Sequence, residues 1–216
     1  IKMLRAFIGT GKLLDVGCGV GYFVREALSA GYQAEGLEFS DAAASLGRNQ
    51  WNLSIETGEF LAAHYPAGSF DILTMWQVFE HLPEPVRVLE KIHRLLKPKG
   101  LVIIAVPNIH SIQARVFRSA WYHLDVPRHL FHYSPTSLSR LLASNRFHVE
   151  SIQLRCPEHN GSGFLGSMMN MGSPDERLVH RAVRKLIGLP IANSLARIEE
   201  LLQSGGIQTV TARSVE

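Results

Sequence analysis

Two cysteines among 216 residues, Cys18 and Cys156, are too few and too far apart to build a disulfide framework or a zinc site. That scarcity fits a reducing, cytoplasmic setting. Charge of a single sign is also scarce: 22 basic side chains against 19 acidic ones leave a net +3, and the basic residues are scattered rather than gathered into a stripe. Nucleic acid is therefore not the default partner. No run approaches the roughly 20 apolar residues that span a bilayer, and the N-terminus lacks a signal-peptide pattern, so no transmembrane segment is expected. What the chain has is a 46% hydrophobic composition and length enough for one domain with a full core. It opens on Ile1 with its first strand close behind, and reads as a piece from which an N-terminal segment is missing.

The rest of the chain is organised around Lys12-Leu13-Leu14-Asp15-Val16-Gly17-Cys18-Gly19-Val20-Gly21. The apolar run, bounded by a Gly-Thr-Gly turn signal and a glycine cluster, predicts a buried parallel strand at 12–16. The glycines then turn into a helix whose apolar positions recur at helical spacing from Tyr22. Backbone N–H groups gather there with no side chain to keep a ligand away. A dinucleotide loop is written G-x-G-x-x-G; this one is G-x-G-x-G, with Tyr22 where the third glycine would stand. Asp15, two positions before the first glycine, would repel a pyrophosphate and attract an ammonium.

The stretch from Asp15 to Gly21 resembles the glycine-rich first motif of class I S-adenosylmethionine-dependent methyltransferases. The segment from Phe70 to Asn108 is similar to that family's second conserved block: Phe-Asp, an apolar strand, Glu80-His81, a helix, Leu-Lys-Pro-Lys-Gly, a second apolar strand and Pro107-Asn108. The resemblance covers roughly Lys12 to Leu154. It implies an α/β fold: a Rossmann-like seven-stranded sheet in the order 3-2-1-4-5-7-6, strand 7 antiparallel, with helices on both faces. The strands read as 12–16, 33–38, 53–57, 70–76, 101–106, 147–154 and 207–212. One domain is expected over 1–216, with a helical excursion at 157–206 that departs from the simplest version of the fold: a stretch at 161–172 with three methionines, then helices near 175–187 and 191–203, the first carrying the basic residues Arg177, Arg181, Arg184 and Lys185.

The resemblance also implies a cofactor, S-adenosyl-L-methionine, released as S-adenosyl-L-homocysteine. Asp15, Gly17, Cys18, Gly19 and Gly21 would hold its methionine end. Glu38, about twenty residues beyond the glycine loop at the tip of the second strand, would accept from the ribose hydroxyls, with Phe39 beside it. Glu59 and Phe60, just after the third strand, match the positions that meet the adenine. Trp76 and Gln77 end the fourth strand, and open α/β sheets bind ligands beyond the carboxyl ends of their strands.

Methyl transfer to a hydroxyl needs the acceptor held in line and its proton removed, and histidine is the natural base near neutral pH. His81, His110, His129 and His132 all fall on loops expected at the ligand edge; His81 and His129 rank first as catalytic candidates. The long connection at 107–133, rich in histidine and aromatics and ending in a Pro-Arg-His-x-x-His segment, is similar to that of small-molecule methyltransferases related to ubiquinone-pathway O-methylation. Some of those relatives hold a divalent ion with an E-x-x-E-H run; here Gln77 replaces its first acid, and a neutral amide weakens a hard-cation site, so no metal is assigned. The expected partner is a small-molecule acceptor. The excursion reads as a lid, a dimer contact or a membrane-surface patch, in a monomer or a homodimer. Two alternatives stay open: a non-catalytic cofactor-binding module and a nicotinamide-dependent oxidoreductase, against which the absent third glycine argues.

Overall fold

The computed structural model describes residues 1–154, 157–171, 190–192, 194–199 and 201–215. Cys156, the helix expected at 175–187 and its basic residues Arg177, Arg181, Arg184 and Lys185 lie outside the described residues. A short helix α1 (Lys2–Phe7) precedes strand β1 (Lys12–Val16). Then follow α2 (Tyr22–Ser29), β2 (Gln33–Glu38), α3 (Asp41–Trp51), β3 (Ile55–Thr57), β4 (Phe70–Trp76), α4 (Pro85–Leu95), β5 (Leu96–Pro107), α5 (Ile112–Phe117), α6 (Pro135–Ser144), β6 (Phe147–Gln153), α7 (Pro157–Asn170) and β7 (Ile207–Ser214). The strands form one seven-stranded mixed sheet in the order β3-β2-β1-β4-β5-β7-β6, the order that the resemblance implied.

The described chain divides into two compact units, one of Ile1–Ile104, Ser139–Ser151 and Thr211–Glu216, the other of Ala105–Leu138 and Ile152–Val210. The excursion at 157–206 belongs to the second, together with the connection that follows β5.

In the first unit the apolar strands are buried as their composition demands. Phe70, Ile72, Leu73 and Met75 of β4 have no exposed surface, so a continuous apolar run is what this strand requires. The β1–β4 register sets Asp15 opposite Thr74, and the β1–β2 register sets Asp15 opposite Gly36. Helix α3 starts where Ser40 Oγ accepts from Ala43 N at 3.4 Å, a serine N-cap. Pro85 opens α4, where its missing N–H is no loss. The helix then buries Val88, Leu89, Ile92 and Leu95, each side chain contributing about 1.5–3 kcal/mol. Lys91 lies on the same buried stripe.

Some boundaries differ from expectation. β3 is shorter, and β5 begins at Leu96 rather than at 101. The added segment is tied to the neighbouring strands: Lys97 Nζ donates to Asp71 Oδ2 at 2.8 Å, and Asp71 also accepts from the Lys12 amide at 2.8 Å.

In the second unit, the connection after β5 contains α5 and two 3-10 turns, at Arg118–Ala120 and Tyr122–Leu124. Asn108 is consumed structurally: its amide N donates to Gly206 O at 2.9 Å, its Nδ2 to Gly205 O at 3.1 Å, and its Oδ1 accepts from His110 N at 3.0 Å. Helix α7 arises in a glycine-rich stretch with poor intrinsic propensity, where the sequence predicts none. Tertiary contact supplies the reason. A Cβ on Gly163 would come within 2.5 Å of Gln113 Oε1, and one on Gly166 within 2.4 Å of Tyr122 Cδ2. Ser167 Oγ accepts from Tyr122 N at 2.9 Å and donates to Gly163 O at 2.7 Å.

Candidate functional site: a cleft floored by the glycine loop

β1 ends in a loop that only glycine fits at its first step. Gly17 has φ +72, and a Cβ there would stand 2.3 Å from Val78 Cγ2. Its N–H donates to Leu37 O at 2.7 Å, tying the loop to the neighbouring strand. Gly19, with φ +57, differs: a Cβ added to it would meet nothing within 4 Å. Among the described residues, packing therefore leaves the space over Gly19 open.

Glu38 is fixed at the tip of β2 by two backbone amides. Gly19 N donates to its Oε2 and Ser40 N to its Oε1, each at 2.8 Å. A carboxylate has about four acceptor positions; two are taken, and two remain to receive a pair of neighbouring hydroxyls.

A cleft of about 790 Å³ opens beside this carboxylate, within the range of roughly 300–1,000 Å³ typical of small-molecule and cofactor sites. Gly17, Glu38, Phe39, Glu59, Phe60, Gln77 and His81 all line it. Phe39 and His81 are exposed at its surface, whereas Phe60 is buried. Gln77 adopts φ +56 at the end of β4, and its Nε2 is buried without a hydrogen-bond partner among the described residues. Such an orphan donor in a cleft wall fits a ligand with acceptor atoms.

The other expected site residues stand apart from the cleft lining. Asp15 is 1% exposed, and its Oδ1 accepts from Thr74 Oγ1 at 2.6 Å. Burial pushes its carboxyl up to about 7, against the Thr74 hydrogen bond, with the Glu38 charge adding to the rise. Cys18 lies against Gly36, and burial lifts its thiol to about 12, which leaves it no thiolate character near neutral pH. Gly21 serves packing, since a Cβ there would lie 2.5 Å from Leu53 Cδ1. The Trp76 ring turns into the core and packs edge-on against Phe23 at 4.9 Å.

His129 belongs to the second unit. Its Nδ1 lies 2.8 Å from His123 O, and its Nε2 lies 3.8 Å from Asp125 Oδ2. A ring nitrogen facing a carbonyl must donate, so Nδ1 carries the proton. His132 Nε2 likewise faces Leu124 O at 2.8 Å.

Two residues that shape the cleft region, Thr74 and Lys91, escape the sequence reading, and a third, Glu80, enters it only as part of a motif. Thr74 supports Asp15; its signal is a hydroxyl in an otherwise apolar strand. Glu80 is fully buried beside the cleft residue His81, and burial raises its carboxyl to about 8. Lys91, 7% exposed, donates to the carbonyls of Phe60, Leu61 and Ala63. Burial, then the Arg94 charge, lower the pKa of its ammonium. Its signal is a lysine three residues after Val88 on an apolar helix face.

The sheet order is that of the class I S-adenosylmethionine-dependent methyltransferase fold, and the cleft opens beside its glycine loop. The chain belongs to the methyltransferase-domain family, whose family model matches residues 2–152. It is 32% identical over 111 residues to a ubiquinone biosynthesis O-methyltransferase of Pseudomonas aeruginosa (strain LESB58), a match covering 48% of this chain and 47% of that protein. The chain thus spans about half the length of the curated relatives it matches. Two solved structures share the fold. One, from Archaeoglobus fulgidus, is a SAM-dependent methyltransferase with TM-score 0.65 and 20% identity, covering 99% of this chain and 92% of that one. The other, from Mesorhizobium loti, is an S-adenosylmethionine-dependent methyltransferase with TM-score 0.64 and 18% identity, covering 98% and 96%. Among the described residues, no helix is long and apolar enough to cross a membrane.

Proposed function

We propose that this chain transfers a methyl group from S-adenosylmethionine to a hydroxyl oxygen of a small-molecule acceptor. The observation that carries the reading is Glu38, whose two oxygens are oriented by the Gly19 and Ser40 amides and whose remaining acceptor positions suit a vicinal diol. Open space over Gly19, the orphan amide of Gln77 and the cleft volume fit the same cofactor. Glu38 would hold the ribose, the glycine loop the methionine end, and Glu59 with Phe60 the adenine. When bound, S-adenosylmethionine supplies an electrophilic methyl group whose bond to sulfur breaks as the acceptor oxygen attacks in line.

The chain's own residues orient the reactants and manage the proton. His81, exposed on the cleft lining, takes the hydroxyl proton as general base. Asp15 supports the floor from below through Thr74 rather than touching the ligand. Transfer to oxygen is favoured by the likeness to proteins named ubiquinone biosynthesis O-methyltransferases. A small-molecule acceptor and a cytoplasmic setting belong to the same reading.

The test is isothermal titration of the chain with S-adenosylmethionine, S-adenosylhomocysteine and NADH, followed by methyl transfer from labelled cofactor to a panel of phenols and catechols. The expected outcome is micromolar binding of both sulfur ligands and none of NADH. Labelled product should fall at least about a hundredfold in His81→Ala, the scale of a lost general base, with cofactor affinity kept. Binding of NADH alone would overturn the class of reaction; labelled acceptor in His81→Ala at the wild-type rate would overturn the role of His81.

A further inference from the structure

A buried lysine is expensive unless each of its N–H groups finds an acceptor. Lys91 meets that requirement in one place. Its Nζ donates to Phe60 O and Ala63 O, and to Leu61 O at 3.2 Å, so an ammonium with three donors faces three carbonyls. These carbonyls belong to one tight turn, in which Ala62 N and Ala63 N both donate to Glu59 O, at 3.1 and 2.9 Å. Like the end of a helix, such a turn leaves carbonyls pointing outward without partners, and a cation there satisfies them. The same ammonium stands 5.0 Å from the centroid of the Phe60 ring, close enough for a cation–π attraction.

The turn is also a wall of the cleft: Glu59, Phe60, Leu61 and Ala62 all line it. Lys91 itself is not among the lining residues. It grips the wall from behind, from a helix whose other inward residues are apolar. If α4 needed only to be buried, a methionine of similar length would fill the place without the desolvation cost. The lysine's distinct contribution is to fix the backbone of 60–63, and hence the directions of the Glu59 carboxylate and the Phe60 ring.

We propose that Lys91 is a positioning residue for the nucleobase end of the cleft, acting through the 59–63 turn to set cofactor affinity. This rests on the reading of the cleft as a cofactor site. The experiment is titration of the chain with S-adenosylhomocysteine, comparing wild type, Lys91→Met, Phe60→Leu and the double variant, and a second cycle pairing Lys91→Met with Glu38→Ala. Circular dichroism and thermal melts establish that each variant is folded.

Lys91→Met is expected to weaken S-adenosylhomocysteine about tenfold, the scale of a lost hydrogen bond to a charged group. With Phe60→Leu already present, that loss should shrink to about twofold or less, because the two act through one wall; with Glu38→Ala the losses should add, as they do for sites without shared partners. A general loosening of the fold would not favour one partner over the other. A folded Lys91→Met that binds within twofold of wild type overturns the proposal, as does full additivity with Phe60→Leu. Should Lys91→Met not fold, Lys91→Gln, which keeps two N–H donors without the charge, is measured in the same cycles against the same thresholds. Failure of the wild type to bind S-adenosylhomocysteine at all overturns the cofactor reading itself, and is thereby distinct from a failure of Lys91.

Discussion

The cleft of the first unit and the connection after β5 in the second are both rich in polar side chains, yet they spend them differently. Around the cleft, polar atoms are oriented by the protein and left with capacity to spare: Glu38 is aimed by two amides, and among the described residues Gln77 Nε2 has no partner and nothing stands over Gly19. In the connection, most of the polar groups singled out by the sequence are used internally, although the buried Trp121 Nε1 has no hydrogen-bond partner among the described residues. Asn108 uses its backbone N–H and both side-chain amide atoms, His129 and His132 face backbone carbonyls, and Glu199 accepts from Gln113 N at 3.1 Å and from Gln113 Nε2 at 2.7 Å. A polar residue type at a loop thus says little until its hydrogen bonds are counted; spare capacity marks a binding site and full use marks scaffolding.

The sharpest way to break this contrast is to remove one polar group from each region. Glu38→Ala should cost the cofactor about a hundredfold in affinity, as expected for two hydrogen bonds to a charged acceptor, while changing stability by no more than about 1 kcal/mol. Gln113→Leu should do the reverse. It removes the Nε2 donor from the fully buried Glu199 carboxyl, leaving the Gln113 backbone N–H in place; burial already pushes that carboxyl upward in pKa, and the loss should lower stability by about 2 kcal/mol with affinity within twofold. Titration and urea denaturation on both variants check the pair; equal effects on both readouts would dissolve the distinction.

How far the sequence displays each region follows from the range of the interactions involved. The cleft floor was legible because a glycine loop after an apolar run, and an acid about twenty residues on, are local patterns. Glu38, Gly17 and Gln77 all line the cleft as expected. Trp76 stands apart from the cleft lining because a strand's last residue can turn either way, and the Phe23 contact holds its ring inward. Lys91 and Thr74 were missed because their partners lie 28 to 31 and 59 residues away. Helix α7 was missed because its glycines, which argue against a helix, are demanded by Gln113 and Tyr122. Local pattern marks out the candidate cleft; long-range packing decides which residues line it.

An effect of comparable size, spread over two pH units, separates support from contact within the cleft region itself. Asp15 is raised to about 7, far above its unfolded value of about 3.9. Between those values the folded chain holds a proton that the unfolded chain has released. Stability therefore falls as pH rises through this window and levels off above about 7. Asp15→Asn removes that term. The stability difference between the variant and wild type should grow in the variant's favour from pH 5 to pH 7, by up to about 1.4 kcal/mol per pH unit, and then stop growing. Glu80, at about 8, keeps some of the slope in both proteins. Urea titrations at pH 5, 6, 7 and 8 give the answer; parallel profiles would mean that Asp15 is ionised throughout.

The smallest effect concerns two phenylalanines, one from each region. Phe39 is 72% exposed on the cleft lining, and Phe131, 37% exposed, stacks on Tyr133 at 6.1 Å. An exposed aromatic at a cleft contributes little to folding, because its area is already in water, yet a ligand laid against it covers that area. Phe39→Ala should leave stability within about 0.5 kcal/mol and weaken S-adenosylhomocysteine by about two- to fivefold, the scale of one aromatic contact. Phe131→Ala should leave affinity unchanged and cost stability instead, since its ring is partly buried against another. If Phe39→Ala also leaves affinity unchanged, the ligand stops at Glu38, and spare capacity rather than exposure is the property that defines the edge of the site.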